Sequence, residues 1–154
     1  MDVEFYIKDL SSLTIFEIET TFKVKYMSCT GLEELGKPKN IYTETYADAD
    51  KLRLYQPSTI AREATKITFT FAFFGDKTTR QKLYDDFNSF LEGKRLSYCD
   101  TARLRMVKEM VLMDKTEPKE DVYKGQGYIT AEYTFQNLYG ECERLNNINE
   151  FFNS

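Results

Sequence analysis

Thr65-Lys66-Ile67-Thr68-Phe69-Thr70-Phe71-Ala72-Phe73-Phe74 is the stretch that decides the fold. Ile67, Phe69, Phe71 and Phe73 fall on one face and threonines on the other, the period of two that marks a half-buried strand. Such a face needs a cover. Leu83, Tyr84, Phe87, Phe90 and Leu91 follow at i, i+1, i+4, i+7 and i+8, the apolar stripe of an amphipathic helix. Thr78 with Gln81 resembles a capping box, and Gly93 stands where a left-handed residue ends a helix, so the spacing predicts a helix over about 78–92. Asp76 before it and Lys94 with Arg95 after it complement the helix dipole.

Working outward, Val3 to Ile7 reads as a short strand and Asp9 to Ser12 as a turn. Ile15 to Tyr26 reads as one strand with a wet face, because Phe16, Ile18, Phe22, Val24 and Tyr26 alternate with Glu17, Glu19, Thr21, Lys23 and Lys25. Arg95 to Cys99 is a further short strand, and Asp100-Thr101 a turn. In the strand from Leu104 to Met113, Leu104, Met106 and Met110 share a side with Lys108, while Val107, Val111 and Met113 share the other with Glu109. Both faces are partly apolar, so the strand is either covered on each side by its own domain or exposes one face to a partner. After a charged turn from Lys115 to Asp121, Tyr123, Gly125, Gly127, Ile129, Ala131, Tyr133 and Phe135 line one face of a long final strand. Gly125 and Gly127 mark a bulge or a close backbone approach.

Residues 27–64 are the least regular part. Gly31, Gly36, Pro38, Asn40 and Pro57 punctuate short apolar segments, with strands expected at Ile41 to Tyr46 and Leu52 to Tyr55. This is either an arm or hairpin leaning on a neighbouring subunit or a surface excursion returning to its own sheet. Leu145, Ile148, Phe151 and Phe152 have helical spacing in a short, Asn-rich segment, read as a frayed tail or a docking peptide. Together these readings give an α+β, mainly β chain: an antiparallel β-sandwich or split barrel flanked by one helix. Residues 1–144 form a single domain and 145–154 a C-terminal tail, with no internal repeat.

Composition agrees. The 154 residues include 12 Phe and 11 Tyr but only three Pro, a balance suited to pleated surfaces. Net charge is −4, from 25 acidic and 21 basic residues mixed along the chain. No basic block exists to hold a phosphate backbone, so sequence-specific nucleic-acid binding is not expected. The three cysteines, Cys29, Cys99 and Cys142, are widely spaced without a CxxC pair, and reduced thiols are expected. The first residues lack a cationic start followed by an apolar run, and no stretch reaches the roughly 18 apolar residues of a membrane span. The expected product is cytoplasmic and not membrane-bound.

Histidine is absent, which removes Ser-His-Asp and Cys-His catalysis and the common zinc sites together. Asp85 and Asp86 are helix neighbours pointing about 100° apart, as a solvated face would have them. Asp48 and Asp50 lack the further oxygen ligands of a calcium loop and read as a polar turn. Cys99 lies beside Asp100, which disfavours a thiolate. Phe69, Phe71 and Phe73 lack the surrounding cations of a base-stacking platform and read as core. No catalytic, cofactor-binding or metal-binding residue is expected, no cofactor is called for, and the chain is not read as an enzyme.

The order of elements carries a resemblance. Phe73-Phe74-Gly75, the helix run Leu83 to Leu91, Tyr98-Cys99-Asp100-Thr101, and Tyr123 through Phe135 resemble the N-terminal ring-forming domain of bacteriophage distal tail proteins, and more loosely phage tail-tube proteins. The likeness covers residues 65–139. It implies a β-sandwich with one helix, built into a homo-oligomeric, usually hexameric ring around the channel that DNA passes through. Its partners would be other tail or baseplate proteins, and its place, after assembly in the cytoplasm, the virion tail. A second, carbohydrate-binding-like domain is not expected from these residues. The alternative reading is a small β-barrel or sandwich whose Phe, Tyr and Met side chains line a cavity for an apolar ligand.

Overall fold

A computed structural model describes residues 3–39, 42–44, 53–55 and 61–154. Its elements run β1 (Phe5–Asp9), β2 (Thr14–Glu17), α1 (Ile18–Phe22), β3 (Val24–Thr30), β4 (Tyr42–Glu44), β5 (Arg53–Tyr55) and β6 (Thr65–Phe74). There follow α2 (Lys77–Leu91), β7 (Arg95–Asp100), β8 (Arg105–Lys115), β9 (Lys119–Tyr123), β10 (Gln126–Asn137), β11 (Glu143–Arg144) and α3 (Ile148–Phe152). One antiparallel sheet has the order β2-β1-β7-β8-β10-β6-β3, with β9 added beside β10 and β11 beside β8.

This sheet is rolled. β1 and β3 stand five strand positions apart, roughly 24 Å in a flat sheet, yet the rings of Phe5 and Tyr26 stack 4.0 Å apart. Phe69 of β6 likewise meets Tyr98 of β7 at 4.9 Å across the interior. The architecture is therefore a mainly β split barrel, open along the seam that α1 bridges. β6 lies beside β3, the strand that borders that seam, and its Ile67, Phe69, Phe71 and Phe73 are all buried. α2 packs on this row: Phe87 meets Phe71 at 5.3 Å and Phe73 at 6.0 Å, and Tyr84 meets Phe73 at 5.4 Å. Tyr84, Phe87 and Leu91 are buried, while Leu83 and Phe90 sit at the margin.

The helix begins one residue earlier than its spacing predicts, because Asp76 and not Thr78 is the cap, its carboxylate accepting from the Thr79 amide at 2.7 Å. Gly93, at φ 69°, takes the left-handed conformation expected of it. Asn88, unremarked by the hydrophobic pattern, is buried and accepts a hydrogen bond from the Tyr133 hydroxyl.

Three local readings are corrected. Ile15 to Tyr26 is not one strand. Glu17 caps α1 by accepting from the Thr20 amide at 2.6 Å, and Lys23, at φ 55°, ends it. Ile18 and Phe22 lie four apart, so they share a side in a helix as well as in a strand, and the alternation could not separate the two. Nor is Tyr123 to Phe135 continuous. Lys124 and Gly125 both have positive φ, 51° and 76°, and close a two-residue hairpin turn between Tyr123 and Gln126. Finally, Val107 and Met110 face the same core, because β7 pairs Leu96 with Met110 and Tyr98 with Val107 across a bulge. One extra residue reverses the parity of everything beyond it.

The outer side of β8 belongs to the chain's own C-terminal segment. Met106 and Cys99 join Leu145 and Phe151 in a second buried cluster, so β8 is covered on both faces near its start. α3 docks there, and Lys8 donates from its buried ammonium to the Phe151 carbonyl at 3.3 Å and the Ser154 hydroxyl at 2.7 Å.

Candidate functional site

The carboxylates and thiols weighed in the sequence and set aside form no joint site among the described residues. Asp85 and Asp86 are exposed on α2. Asp48 and Asp50 lie outside the described residues. Burial, then the neighbouring Asp100 carboxylate, pushes the Cys99 thiol up to about 12, and burial pushes Cys29 up to about 11. Among the described residues no group of three or more His, Cys, Asp and Glu is placed to hold a metal ion. Phe69, Phe71 and Phe73 are core. The space left among Ile7, Phe71, Phe87, Tyr98, Met110 and Phe135 is only about 10 Å³, against the roughly 300–1,000 Å³ of a ligand pocket. Those side chains fill the interior instead of lining it.

The feature that stands out is an open strand edge. β8 and β9 follow β10 as one interrupted strand, joined through Thr116, whose amide donates to the Glu132 carbonyl at 2.9 Å and whose hydroxyl accepts from the Glu132 amide at 3.0 Å. Among the described residues, β9 pairs with β10 alone. Every residue of β9 is exposed, Val122 at 66% and Tyr123 at 59%. In a two-residue hairpin the closing pair is hydrogen-bonded, which turns the backbone groups of Glu120 and Val122 outward. The Val122 amide is held at 2.7 Å by its neighbour Asp121, consistent with that direction.

The seam has two of its backbone donors taken up from within. At the seam, the Phe5 amide donates to Glu17 and the Tyr26 amide to Glu19, each at 3.2 Å. Glu17 is partly desolvated, but the amides of Thr20 and Phe5 and the Thr20 hydroxyl outweigh that and hold its carboxyl below the usual range. β3 carries a bulge at Met27, a common device for bending an edge away from pairing.

The β9–β10 hairpin is also braced against the start of α2. The Gln126 side-chain amide donates to the Gly75 carbonyl at 2.8 Å, and Phe74 stacks on Tyr128 at 5.0 Å. Arg80 reaches from the helix to Glu120 at 3.6 Å and to the Gly75 carbonyl at 3.4 Å. The rows that run across this end of the sheet are continuous, Val24 to Phe73 to Ile129 to Glu120. β9 and β3 thus flank β10 and β6 at one level.

The 27–64 interval divides. Met27 to Thr30 belong to β3 and Leu32 is buried, so the excursion starts later than its composition suggests. Its root is tied down: the Gly36 amide donates to the Gly140 carbonyl at 2.7 Å, the Glu63 amide to the Lys37 carbonyl at 2.8 Å, and Arg62 pairs with Glu141 at 3.2 Å. β4 and β5, which fall within the expected strands, pair with each other as a separate two-stranded sheet.

Protein-family models give no match to the chain, and curated protein sequences give none either. Solved structures do. A chain in the structure of the phage p2 baseplate in its activated conformation with Sr superposes over 88% of this chain, with a TM-score of 0.52 at 19% identity. The crystal structure of SPP1 Dit (gp 19.1), described as a paradigm of the hub adsorption apparatus in phages infecting Gram-positive hosts, matches over 84% with a TM-score of 0.46 at 13% identity. The chain spans 44% and 49% of the lengths of those two chains. No helix among the described residues is long and apolar enough to cross a membrane. What the first likeness establishes is a fold: this rolled sheet with its braced helix is one that a phage baseplate chain also adopts.

Proposed function

We propose that the chain is a structural component of a phage or prophage tail that assembles with copies of itself into a ring, at the tail tip or in the tail tube. The observation that carries this reading is the likeness to a p2 baseplate chain over 88% of this chain's length. The strand edges support it. A ring needs two different patches per subunit, since a self-complementary patch closes a dimer and stops. The outer side of β9 offers one such patch, and strand addition to it needs no special side-chain chemistry. The partners are then sister subunits and other tail or baseplate proteins, and the place of action the virion tail. A net charge of −4 suits a channel wall that must not hold DNA. Electron microscopy of the purified chain over a range of concentrations tests the reading. Annular particles with a central opening are expected. Uniform particles of single-chain size at every concentration, with no incorporation into tails when co-produced with the rest of a tail gene cluster, would overturn it.

A further inference from the structure

Arg80 is an ill-satisfied side chain in a place that matters. It lies in the first turn of α2, mostly covered, and among the described residues its Nε is buried without a hydrogen-bond partner. Its remaining contacts, to Glu120 at 3.6 Å and to the Gly75 carbonyl at 3.4 Å, are long for a guanidinium. What holds it is shape. The guanidinium lies on the backbone of Gly127 so closely that a Cβ added there would stand 2.7 Å from Nη1. A glycine within a strand commonly marks such an approach. Through Glu120 on β9 and Gly127 on β10, one side chain therefore touches both strands of the hairpin, while its own helix is anchored on the β6 row.

We propose that Arg80 is a positioning residue that fixes the β9–β10 hairpin against α2, and so sets the angle at which the open edge of β9 meets a second copy of the chain. The first half stands on the contacts above. The second rests on the ring reading. Without the brace, β9 has support on one flank only and frays from its turn.

Hydrogen exchange, followed amide by amide in the intact chain, separates the two halves. Arg80→Met keeps the apolar stem and removes the charge and the orphaned donor. Gly127→Ala pushes the guanidinium off its seat. Each is expected to speed exchange in residues 119–130 about two- to fivefold, the size of a weak ion pair, and to leave β6 and β7 unchanged. Combined, the two changes should give no more than the larger single effect, because both break one contact. Unaltered exchange in 119–130 for both variants, or effects that simply multiply, would overturn the brace. Light scattering on the same samples reads the second half: subunit association weaker in the variants than in the parent supports it, and association equal in all of them overturns it. A parent that stays monomeric and does not enter tails when co-produced with the rest of a tail gene cluster, while the exchange pattern appears, would leave the brace standing and end the ring reading along with the role tied to it.

Discussion

Truncating Phe87 to alanine removes the ring on which the interior is built. Phe87 is 1% exposed and lies among Phe22 at 5.3 Å, Phe71 at 5.3 Å, Tyr133 at 5.7 Å and Phe73 at 6.0 Å. A buried Phe→Ala change costs about 3–5 kcal/mol, the spread reflecting how far the site collapses. Collapse is hindered here. Three of the four neighbours are rings on β6 and β10, whose strands are paired on both flanks and cannot move inward without breaking ladder bonds. The expected cost is thus in the upper half of the range, about 4–5 kcal/mol, which for a chain of this size lowers Tm by roughly 8–20 °C. Thermal melting followed by circular dichroism, with urea unfolding to confirm an unchanged m-value, measures it. Phe87→Leu, which refills much of the space, should recover more than half the loss. A Tm within about 2 °C of the parent for Phe87→Ala would mean that α2 does not press on the Phe71-Phe73 row, and the rolled-sheet core would be wrong.

Three other outcomes follow from the same geometry. Tyr133→Phe leaves the buried Asn88 carboxamide without its donor and should cost about 1–3 kcal/mol, while Tyr133→Phe with Asn88→Leu should restore most of it, as urea titration of the three proteins would show. Glu17, whose carboxyl is held low in the folded chain, lends stability that is complete above its ordinary value of 4.5 and is lost as pH falls through the lower folded value; Glu17→Gln should flatten the acid limb of a Tm-versus-pH curve below about pH 5. Cys99 is fully buried with a raised thiol, so a maleimide at pH 8 should label Cys142 first and reach Cys99 only on unfolding, read by mass spectrometry of peptides.

Much of this was legible in the residues, and the losses have physical causes. The β6 row and α2 were clear because apolar pattern and terminator agree over 65–93, and local and tertiary preferences reinforce each other there. α1 was hidden because Ile18 and Phe22 satisfy both periods at once. The β9–β10 turn was hidden because Lys124-Gly125 is not one of the Asn-Gly or Asp-Gly pairs that usually announce it, and the apolar alternation runs straight through. The bulge in β8 left no signature at all, yet it decides which core Val107 and Met110 enter. For the candidate surface, the resemblance implied assembly, and the strands read over 15–26 and 104–135 bracketed an interface without singling out an edge. The edge emerges only from the pairing of β9 on one flank, and the brace only from the meeting of Arg80 with Gly127, residues 47 positions apart in the sequence.

Association of this chain through β9 is the central claim, and proline at Val122 tests it most directly. The Val122 amide points away from β10, so proline there spares the hairpin's own hydrogen bonds while removing the donor that an added strand would need. Multi-angle light scattering of parent and Val122→Pro, matched in concentration and in melting temperature, gives the answer. The account predicts a parent whose mass climbs to a closed multiple of 18.1 kDa while the variant holds at one chain. A variant that assembles as fully as the parent would contradict it.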